Sequence, residues 1–129
     1  MTDFLTLDDI LAAGTAALGQ EPVVLDAGLL ESAIFRPQAT VFGDPAYPDT
    51  HEQAAALLES LVKNHAFQDG KKRTALISTL LFLAMNGWRV TATQDERFDL
   101  VIAVATDELS GVADIAARLR ELTEPSSRP

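Results

Sequence analysis

Between His65 and Arg73 the chain places a histidine, a carboxylate, a glycine and three cations, in the segment His65-Ala66-Phe67-Gln68-Asp69-Gly70-Lys71-Lys72-Arg73. The segment runs directly into the apolar stretch Ala75 to Met85, which reads as a helix. A helix N-terminus carries roughly half a positive charge and a set of unpaired backbone N–H groups, so it attracts anions, phosphate above all. Lys71, Lys72 and Arg73 add side-chain charge at that place, and Gly70 lets backbone approach a ligand closely. Asp69 offers the oxygen donor that a hard cation such as Mg²⁺ prefers, shared with phosphate oxygens. His65 is the candidate general base, a side chain whose protonation changes near neutrality. Together these groups suit phosphoryl or nucleotidyl transfer from a Mg-nucleotide. A solvated basic first turn is the alternative, but cations there oppose the helix dipole, and that misfit itself points to an anionic ligand.

Composition narrows the field. The 129 residues fit one domain, expected over 1–129 with a core of about 5 to 122. A net charge of −9 argues against nucleic acid or an anionic membrane as the main partner, and sets off the cations of residues 63 to 73. There is no cysteine, hence no disulfide framework and no thiolate chemistry, which fits a cytoplasmic location. Met1-Thr2-Asp3-Phe4 is no signal peptide, and the longest apolar run falls well short of the roughly 20 residues that span a bilayer.

Six helices are expected to position the segment. Thr6 caps the first, with Ile10, Leu11 and Leu18 on one side and Gly19 as its stop. After a connector at 20–25, Asp26 caps a second over 27–35, which ends before Pro37. Thr50 with Gln53 forms a capping box for a third, reaching Lys63. The fourth, about 71–86, is apolar nearly all round and is expected to be the buried, central helix, closed by Gly87. Trp88 to Ala92 reads as a short extended piece. Thr93 caps a fifth helix over 95–107 with Phe98, Leu100, Val101 and Val104 inward, and Ser110 caps a sixth over 111–122. Glu124 to Pro129 is expected to be disordered, and His51 to be exposed without a role. The fold class is all-α.

The segment HAFQDGKKRT resembles the H-x-F-x-D-G-N-K-R-T signature of the Doc ("death on curing") branch of the Fic/Doc superfamily, the toxins of type II toxin–antitoxin pairs. Asp26 to Ala33 (DAGLLESA) and Arg36-Pro37-Gln38 resemble two upstream segments of that family, and Ala54 to Asn64 and Phe82 to Gly87 extend the likeness. The resemblance implies a helical bundle around one buried helix. Residues 39–47 would be a flap beside the active site that docks the protein target; the alternative is a surface loop whose Phe42 packs on the core. His65 would activate a hydroxyl of the target and Asp69 would hold Mg²⁺. Gly70, Lys71, Lys72, Arg73 and Thr74 would face the nucleotide phosphates, and Phe67 would anchor the loop by packing.

Two departures bear on the reaction. AMP-transferring Fic enzymes read G-N-G-R-x-x-R, whereas here Lys72 replaces the second glycine and Leu76 the second arginine. That is the Doc pattern. It implies a kinase that binds ATP reversed and passes the γ-phosphoryl to a threonine of elongation factor Tu, arresting translation. The second departure is Lys71, where the family has asparagine. A lysine cannot reproduce an amide's donor and acceptor pattern; it either adds a phosphate contact or competes with Mg²⁺ for Asp69 and misplaces the phosphoryl group, and reduced or lost activity is expected. A catalytically inactive domain that serves an antitoxin as co-repressor, and an AMP-transferase, are the alternatives. The superfamily's inhibitory pattern [ST]-x-x-x-E-[GN] is absent from the sequence. Inhibition is therefore expected in trans, from the C-terminal helix of a Phd-like antitoxin.

Overall fold

The computed structural model describes residues 2–126. Its order is α1 (Leu7–Leu18), α2 (Ala27–Phe35), a single 3₁₀ turn (Arg36–Gln38), β1 (Thr40–Val41), β2 (Asp44–Pro45), α3 (Thr50–Lys63), α4 (Lys71–Met85), β3 (Trp88–Val90), α5 (Gln94–Ala105), α6 (Val112–Glu121) and β4 (Thr123–Pro125). Among the described residues the six expected helices are present, with only two short antiparallel strand pairs, β1–β2 and β3–β4. Thr6 and Thr93 each form a full capping box, Asp26 caps α2 through Leu29 N–H, and Gly19 ends α1 in the left-handed region. Among the described residues no helix is long and apolar enough to cross a membrane.

The most buried helix is α3, not α4. Ala54, Ala55, Ala56, Leu57, Leu58, Leu61 and Val62 are all buried, and α2, α4, α5 and α6 pack around them. Three consecutive alanines keep α3 thin, which lets its neighbours close in from several sides. In α4 the buried positions are Thr74, Ala75, Ser78, Thr79, Phe82 and Leu83, while Leu81 and Met85 face outward. Its apolar character therefore overstated its burial.

Further expectations need correction. Asp49, not Thr50, caps α3, its carboxylate accepting from Glu52 N–H at 2.8 Å. Gly111 rather than Ser110 opens α6, with no side-chain cap. Phe98 is 63% exposed instead of inward. The polar end of the chain is ordered as far as described: Thr123–Pro125 pairs with Trp88–Val90, Arg89 and Glu124 form an ion pair, and Ser126 N–H donates to Gly87 O at 2.8 Å. Residues 127–129, the rest of that expected tail, lie outside the described residues.

Residues 39–47 form a hairpin. Phe42 (φ 53°) and Gly43 (φ 85°) both take positive φ, as a two-residue type I′ connection requires. Phe42 stands fully exposed at the tip, so it does not pack on the core. Tyr47 secures the base: its hydroxyl accepts from Arg36 Nε at 3.3 Å, and Arg36 is paired with Glu59 at 2.9 Å.

His51 is buried rather than exposed, with its ring edge-on to Trp88, centroids 4.3 Å apart. Its Nε2 lies 2.9 Å from Thr123 Oγ1, and that hydroxyl donates its only proton to Leu119 O at 2.9 Å. Nε2 must therefore carry the proton and donate it to Thr123 Oγ1, so that His51 clasps α3 to the end of the chain. Burial, and then Arg120, lower its proton affinity, opposed by Asp49. The unfolded chain thus binds this proton more readily, and the stability that His51 contributes is present above pH about 6.5 and lost as pH falls. Equilibrium denaturation between mildly alkaline and mildly acidic buffer should show the midpoint dropping with acid, and His51→Gln should flatten that slope.

Candidate active site

The loop from Asn64 to Gly70 joins α3 to α4, and the connector that precedes α2 holds it in place. Ala66 O accepts from Leu25 N–H at 2.7 Å and Asp26 N–H at 3.3 Å, and Gln68 N–H donates to Val23 O at 3.0 Å. Between them Val24 and Phe67 form a single antiparallel bridge, and the Phe67 side chain is buried. Asn64 fixes the loop's start, its Nδ2 donating to Leu29 O at 3.1 Å and its Oδ1 accepting from Ala66 N–H at 3.3 Å. At the far end Gly70 takes φ +71°, and a Cβ there would stand 2.2 Å from Leu18 Cδ2. Backbone sign and space both demand glycine.

α4 begins at this glycine with no side chain capping its first turn, so its leading N–H groups are open to an outside acceptor. Asp69 is not the cap; its Oδ1 accepts from the adjacent Gly70 N–H at 2.8 Å. In front of the turn lies a cleft of about 420 Å³. His65, Asp69, Gly70, Lys71, Lys72 and Arg73 all line it, so the loop gathers these expected site residues at one opening. Thr74 is the exception. It is fully buried, its N–H donates to Gly70 O, and it does not line the cleft, which corrects the phosphate contact expected of it.

The charges are unevenly held. Lys72 is exposed, and Arg73 reaches Ala17 O only at 3.4 Å. Lys71 is half-buried, with Nζ 3.3 Å from His65 Nδ1. Burial, and then the repulsion of Lys72 and Lys63, hold Lys71 below the ordinary lysine range. Among the described residues no three metal-ligating side chains come together. Asp69 is a single exposed carboxylate, suited to a Mg²⁺ that arrives with phosphate oxygens rather than to an all-protein cage.

A sequence model of the Fic/DOC family matches residues 2–83, more than half of the chain. The chain belongs to the Fic/DOC family. Its similarity to "Toxin Doc" of Mycolicibacterium smegmatis is 47% identity over 121 residues, 92% of each chain. To "Protein kinase doc" of Escherichia phage P1 it is 39% identical over 110 residues, 85% of each.

Two residues of this Fic/DOC chain that line the cleft were not legible as such. Gln68 carried no charge to mark it. Helical spacing turns Phe98 inward, whereas it lines the cleft together with Lys71, Lys72 and Arg73. Its polar neighbours Gln94, Asp95 and Arg97 were the signal that this side of α5 faces water.

The anchoring of the loop can be tested by stability. Phe67→Ala should lower the unfolding free energy by about 3–5 kcal/mol in denaturant titrations. Gly70→Ala should also destabilise, and Leu18→Ala added to it should restore only part of the loss, because the space is relieved and the positive φ is not.

Proposed function

We propose that this chain is the toxin of a type II toxin–antitoxin pair and a Doc-type protein kinase, passing the γ-phosphoryl of ATP to a threonine of elongation factor Tu. The observation that carries the reading is the cleft at the start of α4, which His65, Asp69, Lys72 and Arg73 all face. Membership of the Fic/DOC family and the similarity to a protein named as a kinase support it.

In this reading His65 accepts the proton of the target hydroxyl. Gly70 and the first turn of α4 face the nucleotide phosphates with backbone N–H groups. Lys72 and Arg73 balance the charge that spreads over the transferring phosphoryl; such transfer depends mostly on placement and charge. Asp69 would hold the Mg²⁺ that accompanies ATP, which when bound neutralises phosphate charge. The exposed hairpin 39–47, with Phe42 at its tip, is the flap that meets the target. The AMP-transferase alternative is disfavoured by Leu76, which lines a neighbouring apolar groove where that pattern needs arginine.

That groove, about 490 Å³ between α4 and α5, is walled by Leu76, Ile77, Leu80 and Phe98. It suits the apolar face of an inhibitory helix from a Phd-like antitoxin. Its edge adjoins the cleft, since Arg73 and Phe98 line both, so a helix seated there would crowd the nucleotide site.

One contact favours a second reading, a weakened or inactive enzyme retained as antitoxin-binding co-repressor: Lys71 Nζ is set against the base. The test is the mass of elongation factor Tu after incubation with Mg-ATP and each variant. Addition of one phosphoryl group by the unmodified chain and by Lys71→Asn, abolished by His65→Ala, is expected. Addition of an adenylyl group contradicts the kinase reading, and modification by Lys71→Asn alone supports the second.

A further inference from the structure

Taking His65 as the base proposed above, we infer that Lys71 is a positioning residue that caps His65 Nδ1 and withholds the base until an anion draws the ammonium away. Lys71 Nζ lies 3.3 Å from Nδ1. An ammonium has three donors and no lone pair, so Nδ1 must accept. A neutral imidazole that accepts at Nδ1 carries its proton on Nε2. One nitrogen is then occupied by Lys71 and the other can only donate, which leaves no lone pair for a hydroxyl proton. Protonating the ring gives no escape, because an imidazolium has no lone pair either and would sit against the ammonium.

Lys71 has no carboxylate partner among the described residues. Of the nearby acids, Asp107 is paired with Lys63 at 2.6 Å and Asp69 accepts from Gly70 N–H. The ring nitrogen is therefore the side-chain acceptor it has. A phosphate oxygen entering the cleft offers a charge-assisted bond roughly twice as strong as a neutral one. The flexible lysine stem lets Nζ move to it. Nδ1 is then free, and the exposed ring exchanges its proton with water, so that either nitrogen can present a lone pair. The imidazole takes the hydroxyl proton as the oxygen bonds to phosphorus and the bond to the leaving diphosphate breaks. The occupied cleft thus switches on the base. A chain without nucleotide holds it off, a property of this sequence with lysine at 71.

The chain has two histidines, so ring ¹⁵N spectra of the full chain are readily assigned. They should be recorded above the histidine titration range, for the chain and for Lys71→Met, with and without inorganic pyrophosphate. The unmodified chain should show His65 as the Nε2–H tautomer with a hydrogen-bonded Nδ1. Lys71→Met should show a mixture of tautomers. Pyrophosphate should move His65 of the unmodified chain to the shifts of the variant and leave the variant's ring unmoved. His51 should stay constant throughout and report that the fold is intact. Identical His65 shifts in chain and variant overturn the cap. A ring that pyrophosphate leaves unmoved, or moves alike in both, overturns the release. These readings do not depend on turnover, so failure to modify elongation factor Tu counts against the kinase reading alone.

Discussion

The candidate site depends on a short stitch of backbone hydrogen bonds. The connector at Val23 to Asp26 and the loop at Ala66 to Gln68 run antiparallel for one bridge, closed by Leu25, Asp26 and Gln68 N–H groups and covered by the buried Phe67 ring. A loop of this length between two helices would otherwise sample many shapes, and each fixed residue costs about 1–2 kcal/mol of backbone entropy. The stitch, the Asn64 clasp and the left-handed Gly70 together fix that entropy loss at folding. His65, Asp69 and the first turn of α4 are consequently in place before any ligand arrives. Preorganisation of this kind is what catalysis by placement needs.

Charge is the second constraint. Three cations, Lys71, Lys72 and Arg73, stand at the unfavourable end of α4 in a chain of net charge −9. No carboxylate neutralises Lys71, Lys72 or Arg73 among the described residues, and Lys71 leans on a ring nitrogen instead. A structural helix start would carry acids, as α1 does with Asp8 and Asp9 and α5 with Asp95 and Glu96. Burial first, and then repulsion from Lys72 and Lys63, lower Lys71's proton affinity; an anion held in the cleft would relieve that repulsion.

Much of this was legible in the sequence because local chemistry decided it. Thr6, Asp26 and Thr93 cap helices, and Gly19 and Gly87 follow helix ends, because side-chain reach and positive φ are properties of single residues. The convergence of His65 with Asp69 to Arg73 follows from their closeness along the chain. What escaped was set by distant segments. His51 is buried only because β4, from the far end of the chain, returns to cover it. Asp49-Glu52 and Thr50-Gln53 both have capping spacing, and where the chain enters α3 chose between them. The apolar content of α4 suggested the centre of the bundle, yet the thin alanine face of α3 holds it, while Thr74 and Ser78 are buried in α4 and Leu81 is not. Thr74 and Phe98 exchanged the expected places, one inward and one at the cleft, because helical spacing gives a face and not which neighbour occupies it.

The proposed chemistry turns on the start of α4 being a nucleotide phosphate site completed by Asp69. Amide ¹H–¹⁵N spectra of the chain titrated with Mg-ATP test it most directly. Perturbations should concentrate at residues 65–73 and Phe98, and be markedly weaker without Mg²⁺ and in Asp69→Asn. Saturating Mg-ATP that leaves those amides unmoved, or that acts on another face of the bundle, would contradict it.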